Sequence, residues 1–251
     1  MKLSIIVPCY NEADNLVSLI DAFRSAVADR TGIEVVLVNN GSTDGSAVVL
    51  ERELARPKNR WCRSVLVTKN QGYGFGILGG LRQARGEYLA WTHADMQTDP
   101  AHVLVGFDRL LATDDPQGSF LRGVRRGRPW FDSFFTAGMS LIATLALRSR
   151  LYDVNAQPKI FHRRLLELMN DAPHDFSLDL YALHLANQQG LCVLEHPVNF
   201  DGRQHGEAKG GGTLRGKMKL TLRTLRFILA LRKKLRLGSP QNQRTQPRRA
   251  A

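Results

Sequence analysis

An open α/β fold, with a mostly parallel twisted sheet and helices on both faces, is predicted by three features of this sequence. Short apolar runs alternate with stretches of helical periodicity through the N-terminal half, the pattern of strands wound with helices. The runs are apolar throughout rather than at every second position, as in strands covered on both faces. Clusters of Gly, Asn, Ser and Asp, which punctuate strand ends, follow them.

The elements follow in order. Residues 3–8 (Leu-Ser-Ile-Ile-Val-Pro) form a first strand, and residues 11–28 a helix with Leu16, Leu19, Ile20 and Phe23 on one face. Residues 34–38 form a second strand. It ends in Asn39-Asn40-Gly41-Ser42-Thr43-Asp44-Gly45, a turn that opens another helix. Residues 64–68 give a third strand, 77–84 a helix and 87–91 a fourth strand. Beyond Pro100 the pattern loosens: helix at 102–111, strand at 120–124, a long amphipathic or buried helix at 131–150, a short strand at 159–161, helices at 163–169 and 178–189, and a late strand at 191–195. No internal repeat is present. The chain divides into one α/β domain (1–212), a basic amphipathic helix (213–237) and a polar, disordered tail (238–251).

With 251 residues, 43% hydrophobic and 23% charged, the chain has an ordinary globular composition and affords a sizeable core. Cys9, Cys62 and Cys192 are scattered, without metal-ligand spacing, and read as reduced thiols of a cytosolic protein. Lys2 leads straight into the first strand, with no apolar signal segment. The net charge of +12 is concentrated at residues 122–128, at 203–209 and from 215 onward, patches that attract phosphates. The most apolar segment, 134–147, is about 14 residues, short of the roughly 20 that a spanning helix needs. Charge alone would also suit nucleic acid. The chain has no nucleic-acid motif and no basic-aromatic stacking pattern, so no such partner is expected.

Trp91-Thr92-His93-Ala94-Asp95-Met96-Gln97-Thr98-Asp99-Pro100 carries the strongest local signal. If extended, it places His93, Asp95 and Gln97 on one side at the C-terminal edge of the sheet, where open α/β folds bind ligands. Their oxygens suit Mg2+ or Mn2+, and a cation there most often grips a diphosphate. Pro8-Cys9-Tyr10-Asn11-Glu12 is either a plain turn with an Asn cap or a nucleobase pocket, Tyr10 stacking and Glu12 accepting a hydrogen bond. Asn39-Asn40-Gly41-Ser42 is equally open, as a turn or a pocket wall. Gly74, Gly76 and Gly79 spell G-x-G-x-x-G, but after the third strand rather than the first, which argues against a dinucleotide fingerprint. These glycines instead let the backbone approach a ligand or a packed strand. Arg203 through Lys209 is either a linker or a lid whose cations clamp phosphate oxygens.

Taken in this order, the segments resemble the family 2 inverting glycosyltransferases of GT-A fold, nearest the dolichyl- or polyprenyl-phosphate sugar synthases. The resemblance rests on residues 4–12, 38–45, Asn70-Gln71-Gly72, Ala84-Arg85-Gly86-Glu87-Tyr88, His93 through Pro100 (the family's D-A-D-x-Q-x-x-P), Arg122 through Gly127, Glu195-His196-Pro197-Val198, and Arg203 through Lys209 (R-x-x-G-x-small-K). It implies that Pro8, Tyr10, Asn11, Glu12, Asn39, Asn40, Asn70 and His93 line the nucleotide pocket. Asp95 and Gln97 would hold Mg2+ or Mn2+, while Arg125, Arg126, Arg203 and Lys209 neutralise phosphates. It further implies a nucleotide-sugar donor and a lipid-phosphate or glycan acceptor. A phosphate acceptor is already anionic, whereas a sugar hydroxyl needs a base, for which Asp179 and Asp153 are the candidates.

Three departures from the family stand out: His93 for the first Asp of D-A-D, Asn39-Asn40 for Asp-Asp, and Asn155-Ala156-Gln157-Pro158-Lys159 where the branch has a small-Gly-aromatic motif. A degenerate fold that binds nucleotide or lipid phosphate without turnover is the competing reading. The basic helix at 213–237 either packs on the domain or lies on an anionic membrane, which would put the protein in the cytoplasm, peripheral at the inner face of the cell membrane.

Overall fold

The computed structural model describes residues 1–28, 30–126, 153–199 and 226–228. The predicted helix at 131–150, the lid at 203–209 and the tail lie outside the described residues. The elements are β1 (Leu3–Cys9), α1 (Ala13–Val27), β2 (Ile33–Asn40), α2 (Ser46–Leu54), β3 (Cys62–Val67), α3 (Tyr73–Gln83), β4 (Tyr88–Trp91), α4 (Ala101–Leu111), β5 (Ser119–Arg126), β6 (Lys159–His162), α5 (Arg164–Glu167), α6 (Leu178–Gln188) and β7 (Cys192–Asn199). The seven strands form one sheet in the order β3-β2-β1-β4-β6-β5-β7. All neighbours are parallel except β6, which runs antiparallel to both β4 and β5. The sheet is thus mostly parallel, as expected. The reversal of β6 was not legible, because a four-residue strand carries no mark of its direction.

The alternation of side chains makes the two covered faces. Leu3, Ile5, Val7, Val35, Leu37 and Ala90 pack with Leu16, Leu19, Ile20 and Phe23 of α1 and Val103, Leu104 and Phe107 of α4. On the opposite face Ile6, Val36, Val38, Leu89 and Trp91 meet Ile77, Leu78 and Leu81 of α3 and the inner side of α6. This is why the strands read as continuous apolar runs. Ile228, from the described turn of the predicted basic helix, is buried in the α3/α6 layer while Arg226 is exposed.

Cys9 and Cys62 are buried and Cys192 exposed, all as free thiols. Burial pushes the Cys62 thiol up to about 12, which leaves it unreactive near neutrality.

The end of the sheet away from the predicted site is pinned by one carboxylate. Glu34, buried at the start of β2, accepts from Ser4 Oγ (2.6 Å), from the Arg85 backbone N–H (2.7 Å) and from Arg63 Nε (2.9 Å). Gly86 N–H donates to Ser4 Oγ (2.7 Å), so the Ala84-Arg85-Gly86 segment is a structural joint. Burial raises the Glu34 pKa, but the bonds from Arg63, Ser4 and Arg85 outweigh it and hold the carboxyl below its usual value. The stability this provides is present above the ordinary Glu pKa and is lost as pH falls through the lower, folded value. Glu34→Gln is therefore expected to cost about 3 kcal/mol at pH 7. In urea titrations that deficit narrows toward pH 3; a deficit independent of pH would refute the assignment.

Candidate active site

Strand order reverses between β1 and β4: the chain first winds outward through β2 and β3, then returns to β1's other side. The loops leaving β1 and β4 therefore border the crevice of a topological switch point. Pro8 through Glu12 leaves β1, Asn39 through Gly45 leaves β2, and Thr92 through Pro100 leaves β4.

The first two loops are interlocked. Asn11 takes a left-handed backbone (φ 53°), and its Oδ1 accepts the Thr43 N–H (2.8 Å) while its own N–H donates to Ser42 Oγ (3.1 Å). Glu12 N–H donates to Ser46 Oγ (3.1 Å) and Ala13 N–H to Asp44 Oδ2 (3.1 Å). So the start of α1 is capped by the β2 loop, not by Asn11. Glu12 Oε2 accepts from Asn15 (2.6 Å), and Tyr10 is half-buried at the same rim.

The two asparagines replacing the acidic pair have distinct local partners. Asn39 Oδ1 accepts the Ser42 N–H (3.1 Å), and Asn40 Nδ2 donates to the Gly72 carbonyl (3.0 Å). An aspartate at 40 would present an oxygen to that carbonyl, so this backbone needs an amide there. Asn70 Oδ1 accepts the Gly72 N–H (2.8 Å) and shapes the same turn.

The glycine-rich stretch is the first turn of α3, which begins at Tyr73 rather than at 77. Cβ atoms on Gly72 and Gly74 would lie 2.3 Å from His174 O and 2.5 Å from Pro173 O. These glycines admit the 173–175 segment, not a cofactor, and that contact overrides their poor helix propensity.

The β4 loop is a run of bends, not an extended segment. Met96 has φ 55°, and the Gln97 N–H folds back to Asp95 Oδ1 (3.3 Å). The simple alternation expected of His93, Asp95 and Gln97 is therefore lost, although all three remain on one loop at the rim. Asp95 is 8% exposed. The His93 ring is half-buried and lies 5.8 Å from the Tyr73 ring, which stacks on Phe176 at 4.7 Å. Burial lowers the His93 pKa, against the pull of Asp95 and Asp179, so the imidazole is neutral at pH 7. Burial, with Asp179 and Asp95 nearby, holds the Tyr73 hydroxyl protonated well beyond neutrality.

Behind this loop lies a polar cluster. Asp179, the second residue of α6 and 1% exposed, accepts from Trp91 Nε1 (2.9 Å) and Gln157 Nε2 (2.8 Å). Asp153, 3% exposed, accepts the Arg125 backbone N–H at Oδ2 (2.9 Å) and the Arg125 guanidinium at Oδ1. Tyr73 and Trp91 were given no role by the sequence reading, and Gln157 and Lys159 entered it only as part of the departure at 155–159. The available signal was a lysine opening the apolar strand Lys-Ile-Phe, at a position that points inward.

Among the described residues no three His, Cys, Asp or Glu side chains gather into a ready-made metal cluster. A hard divalent cation does not require one. Mg2+-type sites use one or two carboxylates plus substrate phosphates, and a near-buried carboxylate at a switch-point rim beside a neutral imidazole fits that donor set.

A family model, Glycosyl transferase family 2, matches residues 4–133, from β1 through β5 and just over half of the chain. The chain belongs to glycosyl transferase family 2. Two undecaprenyl-phosphate 4-deoxy-4-formamido-L-arabinose transferases are similar in sequence. That of Edwardsiella ictaluri is 29% identical over 215 residues, covering 83% of this chain and 63% of the relative. That of Proteus mirabilis is 26% identical over 211 residues, covering 83% and 62%. The chain thus spans less than two thirds of these relatives' length. In fold it is similar to glucosyl-3-phosphoglycerate synthase from Mycobacterium tuberculosis. The complex with Mn2+, UDP and glucosyl-3-phosphoglycerate gives a TM-score of 0.67 at 18% identity, covering 92% of this chain and 79% of that one. The complex with Mn2+, UDP-glucose and phosphoglyceric acid gives 0.69 at 17%, covering 92% and 80%.

The GT-A architecture expected of a family 2 member is therefore present. Of the residues that the family resemblance singled out, Pro8, Tyr10, Asn11, Glu12, Asn39, Asn40, Asn70, His93, Asp95 and Gln97 lie on the loops just described. Arg125 and Asp179 belong to the cluster behind them. Arg203 and Lys209 lie outside the described residues.

Proposed function

We propose that the chain transfers a sugar, with inversion, from a nucleotide-sugar donor to a polyprenyl phosphate. The choice of acceptor rests on the state of the two candidate bases. Asp153 has both oxygens on Arg125, and Asp179 is buried among the donors of Trp91 and Gln157. A hydroxyl acceptor needs a base within hydrogen-bond reach, and a carboxylate saturated by a guanidinium serves poorly. A lipid phosphate is anionic near neutral pH and attacks the anomeric carbon unaided. The names of the sequence relatives favour the same acceptor.

The roles follow from position. Tyr10, Asn11, Glu12, Asn39 and Asn40 shape the base and ribose end of the crevice. Asp95 and Gln97 hold Mg2+ or Mn2+, which when bound neutralises charge on the departing nucleoside diphosphate. Arg125, oriented by Asp153, faces phosphate oxygens at the rim, joined by Arg203 and Lys209 from the segment that the family resemblance reads as a lid. The basic stretch at 213–237 holds the rim at the anionic inner face of the cell membrane. Arg226 is exposed, as a cation facing a membrane would be, while Ile228 is buried against the domain, as the packed alternative for this stretch expects. Among the described residues no helix is long and apolar enough to cross a membrane.

The test is a transfer assay of the full chain with UDP- and GDP-sugars, undecaprenyl phosphate in detergent, and Mn2+. Product is expected as a sugar phosphodiester by 31P NMR. EDTA should remove activity and Mn2+ restore it. Transfer only to sugar hydroxyls would overturn the acceptor, and nucleotide binding without any product would favour the degenerate alternative.

A further inference from the structure

A fully buried ammonium sits behind the rim. Lys159 opens β6 at 0% exposure, in register with Trp91 of β4 and Arg122 of β5. Its Nζ donates to the Ala156 carbonyl and lies 3.8 Å from Asp179 Oδ1. Asp179 receives Trp91 and Gln157, and the Gln157 amide nitrogen also donates to the Tyr73 hydroxyl (3.1 Å). Tyr73 packs between Phe176 and His93. One carboxylate therefore joins β4, the turn before β6, α3 and α6 directly behind His93-Ala94-Asp95. The charged groups that face Lys159 are Asp179 from α6, Arg122 and Arg125 from β5, and Asp153 ahead of β6, with His93 of the β4 loop also within its field. A buried ammonium persists only where opposite charge compensates its desolvation.

Resting on the reading of the Asp95 rim as the donor site, we propose that Lys159 is a positioning residue: its charge holds the Asp179 carboxylate, and Asp179 holds Trp91, Gln157 and Tyr73 as the wall against which the His93–Gln97 loop is set. Burial lowers the Lys159 pKa from 10.5 to about 8, against the attraction of Asp179. A lysine with a depressed folded pKa costs stability while charged, and that cost is relieved as pH rises from about 8 toward 10.5. Mild alkali thus releases the clamp without unfolding the protein.

The experiment uses the full chain labelled with 15N-tryptophan. Its three indole signals are assigned by the one that Trp91→Phe removes. The Trp91 N–H signal is expected to move with an inflection near pH 8. Over the same range kcat for transfer should fall by about tenfold while the donor KM changes little. Lys159→Met and Asp179→Asn each leave a buried group uncompensated and lower Tm. The double variant regains Tm, yet its Trp91 signal no longer follows pH and its kcat stays about tenfold down. A wild-type Trp91 signal that is flat through pH 8, a double variant that still inflects, or a double variant with full kcat would each overturn the proposal. The NMR arm needs no substrate, so an absence of transfer would sink the functional reading and leave this one standing on its own data.

Discussion

Asp95→Ala is expected to reduce sugar transfer by at least about 1,000-fold, the scale of losing a principal charge-stabilising group. The residue sits in a bend after β4, outside both core clusters, so Tm should change little. Its carboxylate is the only acidic group on the rim segment His93 through Gln97, because His93 stands where the family has its other aspartate. No second carboxylate on that segment compensates for the loss. Asp95→Asn separates charge from shape: it can still accept the Gln97 N–H but lacks the anion. The two variants should be nearly equally inactive, and calorimetry should show both losing Mn2+-dependent nucleoside diphosphate binding. Turnover above a few per cent of wild type in Asp95→Ala would remove this residue from the chemistry.

Gly72→Ala is expected to destabilise the fold by about 4 kcal/mol, lowering Tm by roughly 10 °C in a chain of this size. Two effects add. The residue has φ 119°, which L side chains rarely adopt, at a cost of order 1–3 kcal/mol. The new Cβ would also lie 2.3 Å from the His174 carbonyl oxygen, and a backbone atom cannot rotate away. The shift also breaks the Asn40–Gly72 bond, so nucleotide affinity should fall with stability. Gly79→Ala is the control from the same glycine-rich stretch. Its Cβ would meet only Val67 Cγ2 at 3.5 Å, an ordinary contact. Alanine in a helix interior should then stabilise by about 0.5–1 kcal/mol. If both substitutions behaved alike, the glycines would not be there for the 173–175 segment.

The strands were legible because burial on both faces leaves an apolar run whatever the topology. β1 was expected at 3–8 and spans Leu3–Cys9; β4 was expected at 87–91 and spans Tyr88–Trp91. The rim loops were legible from turn residues and polar clusters at strand ends. What escaped were facts about pairs of distant residues. Asn40 reads only as a departure from the family's aspartate until Gly72 O is seen opposite it. Asp179 reads as a free base until Trp91 and Gln157 converge on it from other elements. Lys159 reads as no more than the first residue of a short strand until β4 and β5 close on either side. No periodicity reports such meetings, since each depends on strand order and on the reversal of β6.

That reversal has a bearing on how the molecule comes to exist. β4 and β5 follow one another in the chain, yet they do not pair; β6 lies between them in the sheet, and it is translated later. A nascent chain that has emerged only through β5 holds β3-β2-β1-β4 with an unpaired edge along Tyr88–Trp91, and β5 has no seat on the sheet. The stretch that defines family membership, residues 4–133, ends before the four residues that bridge this gap. A fragment cut at that boundary would carry the ancestry of the protein but not its cooperative fold, and its bare edge would invite self-association.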